Sequence, residues 1–198
     1  MNYTFPLQIN FKVLAIARQL SLTDATGNLI FYVKQKAFKL KEAVTIFADE
    51  AQTRPWFNIS ADRVLDFNAN YSFADYTGKH FGSMRRLGRK SLWKAHYEIL
   101  DGYQPHPTAI IKEENPWSKV FDTLFGEIPI LGIFTGYMFH PSYLIQRPDG
   151  MPLLRLKKQP SFIGRSFTID KLAHLDETEE LRLLLAVMML VLLERSRG

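Results

Sequence analysis

Apolar and polar residues trade places in short runs along most of the chain. The segment from Asn28 to Lys36 is rich in Ile, Phe, Tyr and Val, and it follows the turn Asp24-Ala25-Thr26-Gly27. Ala43 to Ala48 is a second such run, ending at Asp49. From Val64 to Phe73 polar and apolar positions begin to alternate, the period of a half-buried strand, and the run ends in Asp75-Tyr76-Thr77-Gly78. A similar turn, Arg147-Pro148-Asp149-Gly150, precedes the strand-like Leu153 to Lys157. Closely spaced strands with Gly, Asp and Asn between them predict an antiparallel sandwich or barrel. The recurring strand, Asp/Gly turn, strand unit hints at an internal duplication, at irregular spacing.

Two segments depart from this pattern. Asn115-Pro116-Trp117 reads as a helix start, and Trp117, Val120, Phe121, Leu124 and Phe125 then share one face up to Gly126. Ile128 to Ile145 follows without a formal charge, but Pro129, Gly132, Gly136 and Pro141 interrupt it, so buried strands and turns are expected there rather than a membrane helix. Residues 115–145 thus form a helical and apolar insert. The second departure is 176–194. Asp176-Glu177-Thr178-Glu179-Glu180 supplies an N-cap and an acidic first turn, and Leu183 to Leu193 contains no polar residue. A helix apolar on every side must be surrounded. This stretch spans roughly 17 Å, against about 30 Å of bilayer hydrocarbon, so protein has to surround it. A closed barrel can enclose a helix, because its inner face is a continuous apolar wall and closure removes exposed edges. The predicted fold is mainly β: a single domain over 1–198, a closed antiparallel barrel threaded by its own C-terminal helix.

Composition narrows the class. The 198 residues are 46% hydrophobic and 23% charged, the balance of a globular chain rather than a disordered or fibrous one. The absence of Cys excludes disulfides, thiolate metal sites and a Cys nucleophile. Neither a secretory leader nor a lipidation signal is recognised, so a cytoplasmic protein, at most peripheral at a membrane, is expected. The net charge of +5 is uneven: residues 1–100 carry 14 basic and 8 acidic side chains, and the remainder 11 and 12. A moderately basic half fits weak attraction to phosphate-rich partners. No nucleic-acid module accompanies it, so nucleic acid is not an expected partner.

Phe73-Ala74-Asp75-Tyr76-Thr77-Gly78-Lys79-His80-Phe81-Gly82-Ser83-Met84-Arg85-Arg86, then Ser91-Leu92-Trp93-Lys94-Ala95-His96-Tyr97-Glu98-Ile99, and the apolar C-terminal helix, resemble the LURP-one-related proteins. That family shares a superfamily with tubby C-terminal domains and phospholipid scramblases. The likeness extends loosely over most of the chain and is best from Tyr71 to Gly102. It implies a twelve-stranded barrel around a central hydrophobic helix. Tubby domains bind phosphoinositides through basic side chains, and scramblases are linked to calcium and lipid movement. Neither the tubby lipid-binding residues nor an acidic calcium loop maps onto positions of this chain, and fold-level analogy is a weak warrant for function.

The sharpest local feature is the basic turn Met84 to Ser91, where Arg85, Arg86, Arg89 and Lys90 stand between two strand-like runs. Such a tip offers donors to phosphate oxygens, with Lys79 and Lys94 on the flanking strands extending the patch. The plainer reading is a solubilising hairpin that discourages edge pairing. The competing contact surface is the aromatic insert, with Trp117, Phe121, Phe125, Tyr137 and Phe139 either docking on a partner protein or capping the barrel. His80, His96, His106, His140 and His174 have no metal-ligand spacing, and the scattered Asp residues fall mostly in turns, where their side chains bond to backbone N–H groups. No nucleophile motif or phosphate loop is present. The expectation is a monomeric, non-enzymatic barrel without metal or cofactor. Its leading partner is an anionic phospholipid surface, and its alternative partner a protein.

Overall fold

Each strand hydrogen-bonds antiparallel to its sequence neighbours, and the first, β1 (Leu7–Lys12), closes a barrel against the last, β12 (Ser166–Lys171). The computed structural model describes residues 2–12, 18–35, 44–62, 69–87, 96–102, 104–114, 142–159 and 166–197. Between the closing pair run β2 (Arg18–Thr23), β3 (Leu29–Gln35), β4 (Val44–Phe47), β5 (Pro55–Ala61) and β6 (Asn70–Asp75). They are followed by β7 (His80–Arg86), β8 (His96–Leu100), β9 (Ala109–Glu114), β10 (Ser142–Gln146) and β11 (Pro152–Gln159). The expected twelve-stranded closed barrel is present. The run from Ile128 expected to contain buried strands includes β10 at its end, while 115–141 lies outside the described residues.

Alternation builds the inner wall. Leu7, Ile9, Phe31, Val33, Ile46, Phe73, Met84, Tyr97, Ile111, Ile145, Leu156 and Ile169 are fully buried. Registers such as Ile9↔Leu22, Val33↔Ile46, Met84↔Ile99, Tyr97↔Ile111 and Leu156↔Ile169 set them side by side around the barrel.

The helix α1 (Glu177–Arg197) fills the space these side chains enclose. Asp176 caps it: Oδ1 accepts from the N–H groups of Thr178 at 3.0 Å and Glu179 at 2.9 Å. Every residue from Leu183 to Leu193 is buried, at 3% exposure or less. That stretch is roughly 17 Å long, close to the span of a six-residue strand at about 3.3 Å per residue. The apolar part of the helix therefore matches the height of the apolar wall. Polar contacts begin where the wall ends. Arg147 pairs with Glu179 at 2.9 Å, Lys171 pairs with Glu180, and Tyr3 donates its hydroxyl to Glu180 at 2.5 Å. One charged side chain goes deeper: Arg182, 8% exposed, donates Nε–H to the Phe81 carbonyl at 2.9 Å.

The hint of duplication acquires a structural form. The turns β2–β3, β6–β7 and β10–β11 are built alike: the N–H of Gly27, Gly78 and Gly150 bonds back to the carbonyl of Asp24, Asp75 and Arg147 at 2.9–3.0 Å. Each glycine has φ between 87° and 98°, and each hairpin shifts register by one residue just beyond the turn. This is the type I turn with a glycine bulge. It recurs every fourth strand, and the spacing is irregular in sequence because the long connection 115–141 falls between the second and third copies.

The Asp residues read as turn residues behave so. Asp24 accepts from the N–H and hydroxyl of Thr26 and from the N–H and side-chain amide of Asn28. Asp75 repeats the pattern with Thr77 and Lys79. Burial alone would raise the Asp24 carboxyl; the four hydrogen bonds outweigh it and hold the group down at about 2. Since an unfolded aspartate titrates near about 3.9, the unfolded chain binds more protons between these values. The stabilisation from Asp24 is complete above roughly pH 4 and is lost as pH falls toward about 2. In thermal melts from pH 7 to pH 2, Asp24→Asn will lower Tm most at neutral pH, and the gap to wild type will narrow in acid.

Candidate functional site

Antiparallel neighbours send successive connections to alternate ends of a barrel, and here the two ends differ in charge. The connections 13–17, 36–43, 62–69, 87–95, 115–141 and 160–165 leave from one end; they contain nine Lys and Arg and five Asp and Glu. The connections 24–28, 48–54, 76–79, 101–108, 147–151 and 172–176 leave from the other, with three basic and six acidic residues. The helix sharpens the contrast. Its acidic first turn, Glu177, Glu179 and Glu180, enters at the second end, and the sequence Arg195-Ser196-Arg197 closes it toward the first. The helix macrodipole, positive at the N-terminus and negative at the C-terminus, stabilises acids and bases placed this way while partly offsetting their charge.

The sequence-predicted basic residues are divided by this geometry. Lys79 immediately precedes β7, and β7 carries the chain from the acidic end to the basic end, about 20 Å away at 3.3 Å per residue. Lys79 is therefore not brought together with Arg85 and Arg86. Those two differ as well. Arg85 lies on the outer face, where its Nε is 2.6 Å from Glu98 Oε2 in the directly opposed position on β8. Arg86 has the inner-face parity of Gly82 and Met84 and stands opposite the buried Tyr97. Next to Tyr97 on the inner rim, Tyr143 is held well above the ordinary tyrosine range, first by burial and then by the carboxylates of Glu194 and Glu113. The outer face carries further cross-strand ion pairs, Arg155 with Glu114 at 3.2 Å and Lys157 with Asp170 at 2.9 Å. Arg89, Lys90 and Lys94 lie outside the described residues, as do Trp117, Phe121, Phe125, Tyr137 and Phe139.

One relation between the two candidate surfaces was not evident in sequence. The β7–β8 connection, which holds Arg89, Lys90 and Lys94, and the β9–β10 connection, which holds the aromatic insert, leave the same end of the barrel, and β8 and β9 are hydrogen-bonded neighbours. Reading it requires the strand count, because parity alone decides which end a loop leaves from. Among the described residues no helix is long and apolar enough to cross a membrane.

No curated protein and no solved structure matches the chain. The sequence model of the LURP-one-related family matches residues 29–171, well over half of the chain and every strand from β3 to β12. With a closed twelve-stranded barrel around its own helix, the architecture of the tubby-like and scramblase superfamily to which that family belongs, the chain is a member of the LURP-one-related family.

Proposed function

We propose that the protein is a non-enzymatic module that docks the basic end of its barrel on anionic phospholipid head groups. The observation that carries this reading is the shared exit of the β7–β8 and β9–β10 connections. Their sequences join the two components of a peripheral membrane surface: cations that meet the anionic head groups, and aromatic and aliphatic side chains suited to the interface. Arg89, Lys90 and Lys94 are the leading head-group contacts, and Lys36, Lys39 and Lys41 of the β3–β4 connection leave from the same end. Arg85 serves the barrel through Glu98 and contributes little. Trp117, Phe121, Phe125, Tyr137 and Phe139, read in sequence as a rival surface for a protein, belong in this proposal to the same docking face.

Co-sedimentation with vesicles tests it. Binding to phosphoinositide-containing vesicles will exceed binding to neutral ones and will fall steeply with salt, since exposed charges are screened over about 10 Å at 0.1 M. Reversing Arg89, Lys90 and Lys94 to Glu will weaken binding roughly 100-fold, at about 1 kcal/mol for each cation lost from the surface. Equal binding by wild type and triple variant would refute the proposal. A pull-down partner lost on substituting Trp117 and Phe121, with no vesicle binding by wild type, would favour the protein-docking alternative.

A further inference from the structure

The acidic end of the barrel holds an open cleft of about 480 Å³, between the N-terminal segment, the β2–β3 and β4–β5 turns and Tyr76 of the β6–β7 turn. Its size lies within the roughly 300–1,000 Å³ range of ligand sites. Its walls are aromatic. Trp56 is fixed from behind, stacked on Phe57 at 5.5 Å and edge-on to Phe31 at 5.8 Å. Tyr76 is 67% exposed, the most exposed large apolar side chain among the described residues, and its N–H bonds to the Trp56 carbonyl at 3.0 Å. Tyr3, Pro55, Leu29 and Ile30 add to the apolar lining.

The polar groups of the cleft are unbalanced in a useful way. Its carboxylate, Asp24, already accepts four hydrogen bonds from Thr26 and Asn28. Its donors are not used up. The Arg54 side chain is 72% exposed, and its sole contact among the described residues is Asp49, at 3.4 Å through Nε. Among the described residues nothing accepts from the Trp56 indole N–H. A cleft whose one carboxylate is filled and whose Arg54 and Trp56 donors are open suits a ligand rich in carbonyls. A polyproline II segment is such a ligand: its carbonyls point outward without internal hydrogen bonds, and its rings pack flat on aromatic faces. Charge selects further. Within the lining Asp24 and Arg54 offset each other, but the turns around the cleft carry Asp49, Glu50 and Asp75 against Lys79, so the approach is net negative.

We infer that this cleft is a docking site for a proline-rich peptide segment carrying basic residues, on the face of the barrel opposite the one proposed for the membrane. The proposal is independent of vesicle binding. The test is titration of the full-length, ¹⁵N-labelled protein with an acetylated, amidated peptide of four Arg-Pro-Pro repeats, following the Trp56 indole and Tyr76 amide signals. Saturable shifts are expected, with Kd on the order of 100 μM. Tyr76→Ser removes a ring that packs no core, and it will weaken binding about tenfold while leaving Tm in place. Four Glu-Pro-Pro repeats, and four Arg-Gly-Gly repeats that keep the charge without the ring, will each bind at least about tenfold more weakly. Absence of saturation by about 2 mM peptide would overturn the inference. So would equal binding of the Arg-Gly-Gly peptide, which would mean attraction to the acidic end alone. Saturation of the same signals by tetramethylammonium at comparable concentration would overturn it too, as that would mark a cation cage.

Discussion

Leu190→Asp will leave the protein unfolded at 25 °C. Leu190 has no exposed surface and lies midway along a helix whose neighbours on every side are buried apolar residues. Loss of a buried leucine side chain costs about 2–5 kcal/mol. The carboxyl that replaces it must be neutralised, and protonating a group whose ordinary pKa is about 3.9 adds roughly 4 kcal/mol at pH 7. Together these reach the whole stability of an ordinary domain, about 5–15 kcal/mol. Leu190→Met conserves volume and will cost less than about 1.5 kcal/mol. Circular dichroism melts of the two variants beside wild type give the measurement. A native-like, cooperative melt for Leu190→Asp would mean that the helix is not enclosed.

Gly82→Ala will destabilise the barrel for a different reason. A Cβ at this position would lie 2.7 Å from the Leu100 carbonyl oxygen and 2.7 Å from Arg182 Cδ. The first neighbour is backbone in the β7–β8 ladder, beside the pair Ser83↔Leu100, and cannot withdraw without opening the barrel wall. The second is the side chain of Arg182, a buried charged group anchored on the Phe81 carbonyl. Overpacking of this kind costs about 1–3 kcal/mol and occasionally more, and the upper part of that range is expected here. A double-mutant cycle with Arg182→Ala separates the two contacts. It will recover only part of the loss, because the clash with Leu100 remains. Full recovery would place the whole constraint on Arg182.

Much of this fold can be read from patterning. Leu183 to Leu193 contains no polar residue, is too short for a bilayer, and so demands a protein shell. Asp176 identifies the start of the helix because short acceptor side chains cap N-termini, and the structure bears that out. Turns at Gly27, Gly78 and Gly150 are legible because each needs a left-handed residue. The site is less legible. Arg85 and Arg86 are adjacent in sequence, yet strand alternation sends one outward to Glu98 and the other toward Tyr97. Lys79 is close in sequence to both and belongs to the opposite end of the barrel. Trp56 and Tyr76, twenty positions apart in sequence, come together only through the pairing of β5 with β6. These are consequences of register and closure, which no local window contains.

The central claim is that the two ends of the barrel face different partners, and the absence of Cys allows it to be tested with single engineered thiols. Thr77→Cys places a polarity-sensitive fluorophore at the acidic end, and Ser91→Cys places one in the β7–β8 connection at the basic end. On addition of phosphoinositide-containing vesicles at low salt, the label at position 91 is expected to shift to the blue and become shielded from an aqueous quencher. The label at position 77 is expected to remain unchanged. Shielding of position 77, or no response at position 91 under conditions where the protein sediments with vesicles, would contradict the account.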